Sequence, residues 1–153
     1  MFESNDKDQG KKKVTEINTF SVPFTLGEIK KDITVNTTSN ASKEQIINQA
    51  LNFHSQGNIL EAEKYYLDFI NRGFNDHRVF SNYGVILKEL GKLQEAELLT
   101  RKAIEIKPDF AEAHSNLGIT LKDLGRLKEA EKSLRKAIEV KPDFAMAHCN
   151  LGN

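Results

Sequence analysis

The sequence predicts an all-α solenoid of stacked helix–turn–helix repeats, with a disordered N-terminal tail. Three observations lead there. Residues 77–110 and 111–144 align without a gap and share 20 of 34 positions. Six of the nine glycines and two of the three prolines fall on the same 34-residue lattice, so the repeat is architectural rather than compositional. Between these markers, apolar residues recur at helical spacing.

Residues 1–42 stand apart. They are rich in Asn, Thr, Ser, Lys and Asp and carry no sustained helical period. Such a composition does not bury enough apolar surface to repay ordering, so disorder is expected. Within it, Ile17–Ile29 (INTFSVPFTLGEI) is more apolar and reads as a short extended segment or a docking motif; Pro23 argues against a regular central strand. The basic run Lys11–Lys13 is flanked by Asp6, Asp8 and Glu16 and reads as a solvated tail.

The helical pattern begins after Ser42. Extending the 34-residue frame backwards gives a divergent first copy at 43–76, then 77–110 and 111–144, and the start of a fourth at 145–153. Each copy reads as helix A followed by helix B. Position 8 is small (Ala50, Gly84, Gly118, Gly152), where another helix can approach closely. Glycine at position 15 (Gly57, Gly91, Gly125) ends helix A, because a C-terminal cap favours positive φ. Helix B, as in Lys92–Ile106, presents Leu93, Ala96, Leu99, Ala103 and Ile106 as one stripe, and Pro108 or Pro142 prevents continuation. Ser42 with Gln45, and Asp109 with Glu112, have capping-box spacing at helix starts. Copy one departs at Phe69 and Phe74, in the seats of Ala103 and Pro108. The fourth copy has only nine residues and no helix B, which reads as a fragment of a longer array with an uncapped, self-associating end.

Composition narrows the function. Lys+Arg and Asp+Glu both total 22, which removes the bulk electrostatic case for nucleic acid or an anionic membrane. The single cysteine, Cys149, excludes an internal disulfide and fits a reducing compartment. No long apolar run or signal-peptide pattern is present, so a soluble cytoplasmic chain is expected. The sequence has no Gly-rich phosphate loop, no Cys–X–X–Cys, no His–Glu–X–X–His and no nucleophile elbow. A non-catalytic chain without cofactor or metal is the expectation.

The small-8, Gly-15, Ala-20 (Ala62, Ala96, Ala130), Ala-27 (Ala103, Ala137) and Pro-32 pattern resembles the tetratricopeptide repeat over residues 43–153. The resemblance implies a right-handed solenoid whose A helices line a concave groove. Position 4, often a large aromatic in that family, holds Ile46, Phe80, His114 and His148. The two histidines are read as half-buried replacements for that aromatic rather than as metal ligands, and Cys149 as a small helix residue.

Position 6 is asparagine in every copy: Asn48, Asn82, Asn116 and Asn150. In a helix interior asparagine costs roughly 0.5–0.7 kcal/mol relative to alanine, so four at one seat need a reason. A structural reason is an amide bonded to a neighbouring repeat, or the copying of an indifferent residue by duplication. A functional reason is a ladder of amides pairing with the backbone of an extended peptide. The phrases AHSNLG and KDLG resemble the repeats of O-linked N-acetylglucosamine transferase, where such a ladder exists. Lys88, Lys122, Glu89 and Asp123, at positions 12 and 13, are candidates for contacts to ligand side chains. A carboxylate clamp is disfavoured, because position 5 holds Ile47, Ser81, Ser115 and Cys149 and no lysine.

The expected function is a protein-interaction scaffold that binds an extended peptide or partner protein in the groove. Two alternatives stay open: the substrate-recruiting part of a larger glycosyl-, sulfo- or methyltransferase, and a homotypic assembly module.

Overall fold

A computed structural model describes residues 42–152. The tail and the docking motif expected before Ser42 lie outside these residues. Among the described residues there are seven helices and no strand: α1 (Lys43–Ser55), α2 (Ile59–Asn71), α3 (His77–Glu89), α4 (Leu93–Ile106), α5 (Ala111–Asp123), α6 (Leu127–Val140) and α7 (Ala145–Gly152). The odd-numbered A helices start 34 residues apart, and the even-numbered B helices alternate with them. Each A helix packs on the B helix that follows it. Contacts α2·α3, α4·α5 and α6·α7 join successive repeats, and α3·α5 and α5·α7 stack the A helices. The architecture is an all-α solenoid.

The helix ends follow from the glycines. Gly57, Gly91 and Gly125 have φ of 72°, 76° and 75°. In each case the glycine N–H and the next N–H bond back into the last turn; Gly91 donates to the Lys88 carbonyl and Lys92 to that of Leu87. This is the Schellman arrangement. Copy one uses the same device a second time. Gly73, with φ 72°, closes α2 through Gly73 N–H to Ile70 and Phe74 N–H to Phe69, doing the work of the missing position-32 proline. Phe69 and Phe74, the two departures of that copy, then pack on each other with ring centres 5.4 Å apart.

The helix starts differ among themselves. Ser42 and Gln45 form the full capping box. Asp76 caps α3 by accepting from the Arg78 N–H. The Asp109–Glu112 box is not formed, because the N-cap of α5 is Phe110, whose side chain cannot accept and packs edge-on against His77 at 4.7 Å.

Small residues at position 8 let the two helices of a repeat meet. A Cβ added at Gly118 would lie 2.6 Å from Leu134 Cγ and 3.2 Å from the Ala130 carbonyl; at Gly84 it would lie 2.6 Å from Thr100 Oγ1. The core is richest in aromatics in the first two repeats, where Tyr66, Phe69, Phe80 and Tyr83 are fully buried. Along α4, Ala96, Leu99 and Ala103 are buried as the stripe predicts, but Ile106 is 38% exposed; Ile104 takes the contact instead. At the far end Ala147 is fully buried and Leu151 half-buried.

Candidate functional site

Positions 2, 6, 9 and 13 of each A helix are spaced i, i+4, i+7, i+11 and share one face. On α3 these are Arg78, Asn82, Val85 and Glu89; on α5 they are Glu112, Asn116, Ile119 and Asp123. All eight retain solvent exposure, while the intervening Tyr83, Gly84, Ile86, Leu117, Gly118 and Thr120 are buried in the packing. The asparagines therefore lie on the solvent side of the A-helix stack. Asn48 is exposed; Asn82, Asn116 and Asn150 are half-buried.

Their amides are partly committed to the protein. Asn82 donates through Nδ2 to the Arg78 carbonyl at 2.8 Å, one turn back on its own helix. Asn116 donates through Nδ2 to Ser81 Oγ on α3 at 3.1 Å. In both, the Oδ1 acceptor has no partner among the described residues. The structural reading of the asparagine seat is thus realised at Asn116, an inter-repeat bond. Sequence reasoning missed its partner. Position 5 reads in the sequence as lacking a clamp lysine, although a serine recurring beside the amide, in Ser81–Asn82 and Ser115–Asn116, is a legible signal. Ser81 is 2% exposed and Ser115 fully buried.

The other predicted residues divide. Lys122 Nζ donates to the Asn150 carbonyl at 3.1 Å, tying α5 to α7. Lys88 is half-buried on α3, and Asp123 and Glu89 are exposed at position 13. Arg78 stands at position 2 of α3 and has no counterpart in the other complete copies, which carry Glu44 and Glu112 there. Its guanidinium bonds Asp76 at 3.0 Å and reaches Glu44 of the preceding repeat at 3.2 Å, and those bonds raise its pKa. Burial pushes the Asp76 carboxyl up, but the side-chain and backbone bonds from Arg78 outweigh it and leave the carboxyl below its ordinary value. This arginine links the start of α3 to α1 of the preceding repeat.

His114 and His148 have equivalent roles. Each places Nε2 2.7 Å from a proline carbonyl, Pro108 and Pro142 respectively. A carbonyl only accepts, so Nε2 carries the proton. His114 is buried rather than half-buried, and His148 is exposed. Among the described residues no group of three metal-ligating side chains occurs. No helix among them is long and apolar enough to cross a membrane.

A groove of about 910 Å³ opens on the opposite side, between α4 and α6. Its floor residues Leu117 and Leu121 are only 4% and 1% exposed, and rim charges such as Arg101 and Arg135 are already paired with Glu97 and Glu131. Lys128 and Lys132 also line it, whereas the A-helix face presents the Oδ1 acceptors of Asn82 and Asn116 in one seat on successive helices.

The family profile described as "Tetratricopeptide repeat" matches residues 111–144, and that described as "TPR repeat" matches 84–125. Comparison with curated proteins gives no match. Among solved structures, the chain is similar to a variant of Thermobaculum terrenum O-GlcNAc transferase, with 27% identity, a TM-score of 0.69, and coverage of 75% of this chain and 22% of the transferase. It is similar to the TPR domain of Arabidopsis OM64, with 22% identity, a TM-score of 0.68, and coverage of 72% and 91%. It is also similar to the second TPR domain of human RPAP3 in complex with an HSP70 peptide, with 20% identity, a TM-score of 0.64, and coverage of 70% and 89%.

Proposed function

The chain is a tetratricopeptide-repeat protein whose repeats resemble those of an O-GlcNAc transferase, and on that premise we propose that its A-helix face binds an extended peptide. The observation that carries the reading is the amide row. Asn82 and Asn116 each spend one N–H on the protein and keep Oδ1 uncommitted, in one seat on successive helices. Such a row accepts hydrogen bonds from ligand backbone N–H groups and asks little of the ligand's side chains. Lys88, Lys122, Glu89 and Asp123 flank the row and bias its choice by charge. The peptide complex of the RPAP3 domain supports a peptide as ligand. A free C-terminal carboxylate is not the expected anchor, because position 5 carries no lysine.

The 27% likeness to the transferase favours a second reading, in which these repeats recruit substrate for a catalytic domain in a longer protein. The groove chemistry is the same in both.

The test uses a peptide selected from a random display library and titrated by calorimetry. Asn82→Ala with Asn116→Ala is expected to weaken binding by roughly 1–3 kcal/mol, at about 0.5–1.5 kcal/mol per lost hydrogen bond. Replacing backbone N–H by N-methyl at alternate peptide positions should cost a similar amount. Unchanged affinity in the folded double variant would overturn the ladder.

A further inference from the structure

Beside the amide row runs an apolar one. Leu51, Val85 and Ile119 lie three residues after Asn48, Asn82 and Asn116, on the same face of α1, α3 and α5, and each is half-buried. An amide row next to an apolar row suits a ligand in extended form, with its backbone on the first and alternate side chains on the second.

The chain contains a segment with that pattern. In Ile17–Ile29, Phe20, Val22, Phe24 and Leu26 alternate with Ser21, Pro23 and Thr25. A period of two places four apolar side chains on one side of an extended chain. Pro23 opposes helix formation and lowers the cost of extending the segment.

The tether permits the reach. Twelve residues, 30–41, separate the segment from Ser42. At about 3.3–3.6 Å per residue they span up to roughly 40 Å. The step from α3 to α7 is two helix spacings of roughly 8–10 Å each, and the Arg78–Glu44 bond keeps α1 beside α3, so the tether is long enough for the segment to reach along the A-helix stack. A short tether also gives a local concentration of about millimolar.

We propose that residues 17–29 dock in extended form on the A-helix face of their own chain, with Phe20, Val22, Phe24 and Leu26 on the Leu51–Val85–Ile119 row. An outside peptide then binds by displacing the chain's own segment. This rests on the reading of that face as a peptide site.

Two measurements on the full chain test it. The first uses Cys149, the single cysteine, which is exposed on α7. A nitroxide there should broaden the amide signals of 17–29 within the same molecule, and Phe20→Asp with Phe24→Asp should abolish the effect. Mixing spin-labelled with isotope-labelled chains separates the copies; broadening that passes only between molecules overturns the proposal in favour of a second copy. The second uses a synthetic 17–29 peptide. It should bind the Phe20→Asp/Phe24→Asp chain at least tenfold more tightly than the parent chain. Adding Asn82→Ala and Asn116→Ala should remove at least tenfold of that affinity. Equal binding to parent and Phe20→Asp/Phe24→Asp chains overturns self-docking yet leaves the peptide site standing if the asparagine substitutions still weaken it. Binding that ignores the asparagines overturns both readings, and no binding to any chain overturns self-docking.

Discussion

Asn116 on α5 donates its side-chain N–H to Ser81 Oγ on α3 across 3.1 Å, joining position 6 of one repeat to position 5 of the repeat before. The amide is therefore held by the seam between repeats before any ligand arrives. A double-mutant cycle of Ser81→Ala and Asn116→Ala should give a coupling of about 0.5–1 kcal/mol by chemical denaturation. Asn116→Ala alone should change stability by less than about 1 kcal/mol, because alanine returns roughly 0.5–0.7 kcal/mol of helix propensity. Zero coupling would mean that the bond does not hold the seam.

Gly118→Ala should destabilise the protein. The new Cβ meets Leu134 Cγ at 2.6 Å and the Ala130 carbonyl at 3.2 Å, and Leu134 is only 1% exposed, with little room to retreat. Overpacking of this kind costs about 1–3 kcal/mol, less roughly 1 kcal/mol regained in helix propensity. Gly152→Ala, with nothing within 4 Å, is the control and should be neutral. Equal melting temperatures for the two variants would contradict the close approach of α5 and α6.

Tyr83→Phe should cost more than the loss of one hydroxyl suggests. Glu63 is 5% exposed, and the fully buried Tyr83 hydroxyl donates to its Oε1 at 3.3 Å. Removing that donor leaves a buried carboxylate short of a partner, at roughly 1–3 kcal/mol. Restoration of stability by adding Glu63→Gln or Glu63→Leu would identify the stranded carboxylate as the cause.

Stability should fall on mild acidification. Burial holds the His54 imidazole below its ordinary value of 6.5, with the Glu89 charge pulling partly back. Burial also lowers His77, against the pull of Asp76. Both stay neutral in the folded chain at pH values where the unfolded chain takes up protons, so their contribution is present above about pH 6.5 and is lost as pH falls through the folded values. Asp76, also held low, adds a loss in the same direction at more acidic pH. Melting temperature should drop from pH 7.5 to pH 5, and His54→Gln should flatten that slope. An unchanged slope would assign the dependence to other groups.

The lattice was legible because glycine and proline act on the backbone locally. Gly91 and Gly125 cap wherever a helix must end, and their spacing reveals the period directly. The asparagine seat was legible as a recurrence. Its bond to Ser81 was not, because nothing in one helix states which neighbour faces it. The same limit explains Asp109 and Glu112. Their spacing suits a capping box, but Phe110 is drawn onto His77 and becomes the N-cap instead. Phe69 and Phe74 each read as a departure from the pattern, and only their tilted ring contact at 5.4 Å shows that they pack on each other.

The principal contacts join helices only one or two places apart along the chain. Mechanically, such a body is a leaf spring. A load applied along the stack is shared among the α2·α3, α4·α5 and α6·α7 seams, and small rotations at each would add up over its length. A peptide docked as proposed across these seams would act as a splint, stiffening the array in proportion to the number of seams it crosses.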